Sequence, residues 1–310
     1  MRVTNNMMTN SMSVSLQKKT QSLVDLSEKV STGKKVLRPS DDPLGMARIL
    51  DYRGTLSQIE QYMENINRGQ TKIEVMEHVL SEVENHVINA KRIATDQSTA
   101  VLETRGTAAS QIKNIFDQVL DLANSELQNN FLFGGNQTNA RPFTRNADGI
   151  EGTADDYEVV YHGDNGEQKI LIGKNSDVEI SSNGNDIFTG DTISNGVNVF
   201  NTLKDLIEGL ENPDTEAGTT QIRSQLDVLK TAQEQVNSVR TLNSGINQRL
   251  NSSKDYWSNF KGVMETQLSS VQDVDLTQAA VEFQKAQLVY ETTVALANEM
   301  LQNTLLNFLK

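Results

Sequence analysis

The chain has 310 residues, of which 36% are hydrophobic and 5% aromatic, and its net charge is −13. So few large apolar side chains fill thin helical bundles more easily than a large globular core. The negative charge disfavours nucleic acid and anionic membrane surfaces as partners. The sequence contains no run of 18 apolar residues, so it predicts no transmembrane helix. The lack of cysteine excludes disulfides and thiolate chemistry.

Helix-breaking residues are concentrated in the middle of the chain. Of 19 glycines, twelve lie between Gly134 and Gly218. This predicts a mainly α fold with a small β-rich central domain, built from long antiparallel helical rods and terminal coiled-coil helices. The predicted domains are an N-terminal coiled-coil helix at 1–38 that pairs with 274–310, a rod core at 39–135 and 196–273, and a central domain at 136–195.

The N-terminal segment carries an apolar ladder that predicts a helix with one packing seam. The ladder consists of Met12, Leu16, Leu23, Leu26 and Val30. Gly33 is the predicted residue just past the helix end, because glycine adopts the left-handed conformation found there. Further ladders predict a long helix from Ile49 to Ala94 and a shorter one from Ile112 to Leu122.

The stretch "VLRPSDDPLGMA" places two adjacent carboxylates before the long ladder. Its polar block comprises Arg38, Pro39, Ser40, Asp41, Asp42 and Pro43. Paired carboxylates can be acid/base catalysts or metal ligands, yet their position favours a helix start. We predict Ser40 or Asp41 as the N-cap and Pro43 in the first turn, where its missing N–H costs nothing.

The middle of the chain reads as short strands. "YEVVYHGDNGEQKILIG" contains two β-branched runs around a turn, which predicts a β-hairpin, and "SDVEIS" predicts a further strand. A helix is predicted to end before Pro213, and a long helix to run from Ile222 to about Val271.

The C-terminal segment has the most regular repeat. One row contains Leu276, Phe283, Tyr290 and Ala297, and the second contains Ala280, Gln287, Val294, Leu301 and Phe308. A seven-residue spacing predicts a coiled-coil seam. Residues 1–37 hold six basic and two acidic side chains, whereas 274–310 hold four acidic and two basic ones. The terminal helices are therefore predicted to pair.

The other candidate sites are weak. His78 and His86 lie eight positions apart, which does not place both on one metal ion. The loop Thr144–Asp155 approximates a calcium loop but lacks the bidentate glutamate at its twelfth position. "FLFGGN" has no lysine and predicts a turn rather than a phosphate loop. No nucleophile has a base beside it. We expect no catalytic residue, no metal and no cofactor.

Three stretches resemble the flagellin superfamily, and within it the hook–filament junction proteins. They are "MRVTNNMM", "STGKKVLRPSDDPLGMA" and "LANSELQNNFLFGGNQTNARPF", and the C-terminal "LANEMLQNTLLNFLK" is similar too. The resemblance covers both ends and much of the helical core, but little of residues 145–195. The C-terminal segment lacks the proline and glutamine pattern that flagellins tend to have.

The resemblance implies a structural, non-enzymatic role in the bacterial flagellum, outside the cell. It implies export through the flagellar type III apparatus, and the N-terminus indeed lacks the apolar stretch of a cleaved signal peptide. The implied partners are further copies in a ring, the first hook-associated junction protein, flagellin, and a cytoplasmic export chaperone on the C-terminal helix. Asp41 and Asp42 match a family block, which we interpret as a helix start and packing contact.

Packing two helices against each other buries only one stripe of each helix. The free energy gained from this burial is smaller than the conformational entropy cost of ordering the two ends of the chain. We therefore expect the terminal helices to fold as the protein assembles. Two alternatives remain open at this point: flagellin itself, or a surface binding module that displays the central domain. An enzyme in the middle section is the third alternative.

Overall fold

The computed structural model describes residues 2–99, 102–145, 157–191 and 193–308, and only the backbone of 2–6, 102 and 300–308. Its α-helices are α1 Arg2–Thr32, α2 Pro43–Gln97, α3 Leu102–Ala123, α4 Val199–Glu211, α5 Thr215–Gln272 and α6 Leu276–Phe308. Its strands are β1 Glu126–Leu127, β2 Asn130–Phe131, β3 Phe143–Arg145, β4 Val159–Tyr161, β5 Lys169–Gly173 and β6 Ser176–Glu179. The predicted mainly α fold with a small β region is confirmed.

The chain divides into two compact units. The first comprises Met1–Ile59 and Asn259–Lys310, and the second comprises Glu60–Ser258. The division into terminal, rod and central domains made from the sequence stays a prediction. Among the described residues, no helix combines the length and the apolar character that a membrane span needs.

The first unit is built around the pair α1 and α6, which pack against each other. α1 ends as predicted: Gly33 has a φ of +70° and donates its N–H to the Lys29 carbonyl at 2.9 Å. Fully buried side chains are few among the described residues of this unit. They are Val36, Ile49, Ile59, Gln272 and Ala279.

The second unit has an extensive core that includes one face of α2. The buried α2 positions recur every three or four residues, which places them on one side of the helix. They are Ile66, Gly69, Gln70, Ile73, Met76, Val79, Leu80, Val83, Val87, Ala90, Ile93 and Ala94. The ladder predicted for this helix is therefore confirmed. The one buried polar side chain on this face, Gln70, has a partner, because its amide donates to Asn251 Oδ1 of α5 at 2.5 Å.

An arginine of α5 clamps two glutamates of α2 in the same unit. Arg240 Nη2 lies 2.6 Å from Glu77 Oε1, and Arg240 Nη1 also bonds Glu84 Oε2. These carboxylates raise the pKa of the Arg240 guanidinium, with the Glu77 hydrogen bond as the main cause. The three side chains are only partly exposed, so their attraction is screened less than that of a surface pair.

The strands pair differently from the prediction. β4 does not form a hairpin with β5; it pairs with β3 in an antiparallel ladder that joins Phe143 to Tyr161. β5 pairs instead with the next strand, β6. The hairpin prediction is therefore wrong, because strand runs of this length carry no local signal that selects their partner. A β1–β2 pair also lies before the predicted central domain begins.

Phe143 is the hub of an aromatic cluster in the second unit. Its ring centroid lies 4.9 Å from Tyr161, 5.1 Å from Phe188 and 5.6 Å from Phe200. The backbone of Phe143 is held by a buried side chain: Asn124 Oδ1 accepts from its N–H, and Asn124 Nδ2 donates to its carbonyl, both at 3.0 Å. A single amide thus fixes the strand that carries the cluster.

The strand β5 is fastened to α5 by the only tryptophan of the chain. Trp257 Nε1 donates to the Ile172 carbonyl at 2.6 Å, and its ring packs 5.1 Å from the ring of Tyr62 on α2. This anchor holds the β5–β6 pair over α2 and α5 within the second unit.

We predict that Asn124→Ala destabilises the second unit by about 2–4 kcal/mol, because it leaves two buried backbone groups of Phe143 without partners. Urea unfolding followed by Trp257 fluorescence measures the loss. Asn139→Ala, an exposed change near the same strand, should alter the unfolding free energy by less than about 0.5 kcal/mol. Equal effects of the two substitutions would contradict the anchoring role of Asn124.

Candidate assembly site

The described part of the α1–α6 pair has a partly buried inner stripe. On α6 the least exposed side chains follow the three-and-four spacing of a coiled coil. They are Ala279, Ala280, Phe283, Ala286, Tyr290, Thr293, Val294 and Ala297. On α1 the five seam residues predicted from the sequence, Met12, Leu16, Leu23, Leu26 and Val30, are all partly buried.

The predicted α6 rows differ from the structure at two positions. Leu276 is 55% exposed, because it begins the helix. Gln287 of the second row is also exposed, and Ala286 is partly buried in its place. A straight helix with 3.6 residues per turn drifts away from a strict seven-residue repeat, which shifts the stripe by one position. The side chains of Leu301 and Phe308 lie outside the described residues.

The opposite side of α6 also carries exposed apolar side chains. Leu288 is 62% exposed, Leu296 54% and Val281 47%. At 3.6 residues per turn these three positions lie roughly opposite Phe283 and Tyr290. The sequence interpretation missed this second face because it followed one seam only. α6 thus carries apolar surface on two sides, and α1 can cover one of them.

The linkers next to this pair are joined by a short antiparallel bridge. Lys35 donates its backbone N–H to the Gln272 carbonyl at 2.8 Å, and Val274 donates to the Gly33 carbonyl at 2.9 Å. The buried Gln272 side-chain oxygen, oriented toward two cations, accepts from Arg53 and Lys34 at 3.0 Å each. No local sequence pattern marks Gln272, since its partners come from distant parts of the chain.

The adjacent aspartates have separate structural tasks. α2 begins at Pro43, and Asp42 Oδ1 accepts the Gly45 N–H at 2.9 Å, so Asp42 is the N-cap. The predicted cap at Ser40 or Asp41 is wrong by one or two positions, because proline takes the first helical position and the residue before it must cap. Pro43 lies in the first turn as predicted.

Asp41 instead closes the turn that precedes the helix. Its Oδ2 accepts the backbone N–H groups of Arg38 and Leu37, at 2.9 and 3.1 Å. These two hydrogen bonds, that of Arg38 first, hold the pKa of the Asp41 carboxyl below its ordinary value. Arg38 also pairs with Glu28 of α1 at 3.0 Å in an exposed ion pair. With Pro39 and Ser40 forming the turn itself, the block Arg38–Pro43 has a structural explanation.

The remaining candidates do not converge on a site. His78 is exposed and His86 partly buried, both on α2. Most of the loop Thr144–Asp155 lies outside the described residues. Among the residues that the structure describes, no group of three or more histidine, aspartate or glutamate side chains is placed to hold a metal ion. The absence of a cofactor stays a prediction.

The two glycines of α2 that lie in the first unit allow a test of the Asp42 cap. A Cβ at Gly45 would lie 2.2 Å from Asp42 Oδ2, whereas a Cβ at Gly54 would meet nothing within 4 Å. Alanine at an exposed helix position stabilises by roughly 0.5–1 kcal/mol over glycine, and loss of a cap costs about 0.5–2 kcal/mol. Gly54→Ala should therefore raise stability, and Gly45→Ala should leave it unchanged or lower it.

Urea unfolding followed by helical circular dichroism compares these two variants. Asp42→Ala in the Gly45→Ala background should cost less than Asp42→Ala alone, because the cap is already displaced. Stabilisation by Gly45→Ala equal to that by Gly54→Ala would show that Asp42 does not cap α2.

Comparison with known proteins agrees with this architecture. Residues 3–138 match the family model of the bacterial flagellin N-terminal helical region. Flagellar hook-associated protein 3 of Escherichia coli strain K12 is 28% identical over 258 residues, which cover 80% of each chain. Flagellar hook-associated protein 3 of Salmonella typhimurium is 32% identical over 130 residues, 41% of each chain.

Solved structures show the same fold. A flagellar hook-associated protein from Vibrio parahaemolyticus aligns with a TM-score of 0.67 at 19% identity, over 75% of this chain and 100% of that one. Hook-associated protein 3 from Legionella pneumophila aligns at 0.64 and 14% identity, over 72% of this chain and 98% of that one. Residues 3–138 are thus similar to the N-terminal helical region of flagellins, and along most of its length the chain is similar to flagellar hook-associated protein 3.

Proposed function

We propose that this protein is a structural, non-enzymatic component of the bacterial flagellum that joins the hook to the flagellin filament. The sequence similarity to hook-associated protein 3 along four fifths of the chain supports the assignment. The structural observation that carries it is the second apolar face of α6, because a helix that is apolar on two sides is stable in water only between two partners. One partner is α1, and the other must be another chain.

The second face is the surface through which neighbouring subunits pack in this proposal. Val281, Leu288 and Leu296 supply it on α6, and exposed α1 residues extend the apolar surface. On α1, Met7 is 67% exposed, Met8 56%, Val24 53% and Val14 45%. Without the exposed Leu276, the proposed inner seam of α6 consists of Phe283, Tyr290, Val294, Ala297, Leu301 and Phe308. Apolar surface of this extent on both terminal helices marks an interaction site rather than scattered exposed residues.

The partners follow from the similarity to the junction proteins. They are further copies of this chain arranged in a ring, the first hook-associated junction protein on the hook side and flagellin on the filament side. A cytoplasmic export chaperone would cover α6 before secretion. The protein would act outside the cell, exported through the flagellar apparatus without a cleaved signal peptide.

Folding of the terminal helices is coupled to assembly in this proposal. Ordering a residue costs roughly 1–2 kcal/mol of conformational entropy. A large apolar side chain contributes its full hydrophobic stabilisation of ~1.5–3 kcal/mol only when it is completely buried. Among the described side chains of α1 and α6, only Ala279 is fully buried. The pair alone is therefore marginal, and a neighbouring subunit supplies the missing burial.

Hydrogen exchange of the purified monomer tests this coupling. Backbone amides of α1 and α6 should exchange at least about 100-fold faster than those of residues 66–94 in α2, because weakly buried helices open with little free energy. In isolated flagella the same amides should be protected. Equal protection of α1, α6 and α2 in the monomer would contradict assembly-coupled folding.

Leu288→Asp tests the second face directly. The variant monomer should melt like the parent, because this side chain is mostly in water already. In a strain that lacks its own junction protein, the number of attached filaments should fall at least about tenfold, since burying an unpaired carboxylate between subunits costs several kcal/mol. Counting filaments by electron microscopy measures the effect.

Asn298→Asp is the matched control, with the same charge change at an exposed polar position of α6 that is not a three- or four-residue neighbour of Val281, Leu288 or Leu296. It should support normal filament attachment. Normal attachment with Leu288→Asp would remove the proposed interface. The same strain separates the flagellin alternative, because a junction protein restores filament attachment but does not grow long filaments alone. Deletion of 140–195 with retained assembly but lost host attachment would instead indicate a surface binding module.

A further inference from the structure

The second unit contains a pocket of about 580 Å³ that the proposed function does not use. One wall is the α2 stretch from Glu64 to Lys72. The β1–β2 region forms another wall through Leu127 and Phe131, and the β5–β6 region contributes Gln168 and Ile180. The pocket therefore lies within a single compact unit.

Lys72 is the unusual residue of this pocket. Its side chain is partly buried, and its Nζ donates to the neutral oxygen of Gln168 at 2.5 Å. Gln168 is held in turn by its own amide, which donates to the Gly135 carbonyl at 2.7 Å. Burial alone lowers the pKa of Lys72 to about 8, because the ammonium loses water and gains no carboxylate in return.

The charges that line the pocket all come from α2. They are Glu64, Arg68 and Lys72, whereas the described lining residues from the β1–β2 and β5–β6 regions are uncharged. Glu64 is engaged by Arg68, whose Nε donates to it at 3.0 Å. This bond leaves the two Nη groups of Arg68 able to bind an anion. Because Arg68 and Lys72 are four residues apart, they project from the same face of the helix.

We propose that Lys72 is a covalent modification site that is acylated preferentially by small acyl phosphates bound in this pocket. Arg68 binds the phosphate group, which places the acyl carbon one helical turn away, at the Lys72 amine. The neutral side chains of the far walls accommodate the acyl group.

The reaction is a simple acyl transfer. The neutral Lys72 nitrogen attacks the acyl carbon, an N–C bond forms, and the bond between that carbon and the phosphate oxygen breaks. The amine loses a proton to the departing group, which leaves as hydrogen phosphate. The product amide keeps one N–H, which can still donate to Gln168. Acylation also removes a poorly solvated charge from the folded protein.

The burial of Lys72 makes acylation selective for this residue over the other lysines of the chain. At pH 7.5 about a quarter of its amine is neutral, whereas an ordinary lysine with a pKa near 10.4 is about 0.1% neutral. Lower basicity also makes the nitrogen a weaker nucleophile, so the net advantage is smaller than this ratio. We expect Lys72 to react at least roughly tenfold faster than Lys174, an exposed lysine between β5 and β6.

The test uses the full-length protein, millimolar acetyl phosphate and peptide mass spectrometry. Acetylation of Lys72 should exceed that of Lys174 at pH 7.5, and its rate should level off above about pH 8.5. The rate at Lys174 should continue to rise up to pH 9.5. Equal rates at the two lysines, or a Lys72 rate that rises in parallel with Lys174, would overturn the proposal.

Two variants separate phosphate binding from amine reactivity, with thermal melting to confirm folding. Arg68→Gln should slow acetyl phosphate several-fold but leave the reaction with uncharged acetic anhydride unchanged. Gln168→Glu is isosteric and places a carboxylate beside Lys72 Nζ, so it should slow both reagents about tenfold at pH 7.5. Unchanged rates in folded Gln168→Glu would refute the role assigned to the neutral amine of Lys72. Equal slowing of both reagents by Arg68→Gln would refute phosphate binding by Arg68.

Discussion

The terminal helices have more apolar surface than one neighbouring helix can cover. α1 and α6 pack against each other, yet nearly all of their described side chains stay partly or fully exposed. The second unit, by contrast, closes its core within the chain through α2, α3, α4 and α5. The second unit is therefore self-sufficient, whereas in the proposed function the terminal helices are completed by neighbouring molecules.

Local patterns explain why the helices were predictable. The α2 ladder follows the helical period, and Gly33 ends α1 where a left-handed residue is required. The N-cap was misplaced within a run of three cap-forming residues, although Pro43 at the first helical position decides in favour of Asp42. The strand partners were not predictable, because the choice of β3 for β4 depends on Asn124 and the Phe143 cluster, which come from distant segments.

Only part of the candidate assembly site was predictable, because the rest depends on contacts between distant segments of the chain. The inner seam follows from periodicity, but the exposed face of Leu288 becomes significant only when α1 is seen to occupy the other side. Gln272 and Lys72 owe their properties to neighbours far away in the chain. A glutamine within a helical pattern and a lysine on a charged helix face carry no signal of their own, since burial rather than residue type sets their behaviour.

The bridge between the linkers has a mechanical consequence. Ten residues separate α1 from α2, but only three separate α5 from α6. If the linkers were independent, a pull on the terminal helices would stretch the short one first while the long one stayed slack. The bonds of Lys35 and Val274 across the bridge, and the Asp41 turn beyond it, remove that slack. Both connections therefore come under tension together, and each carries part of the load.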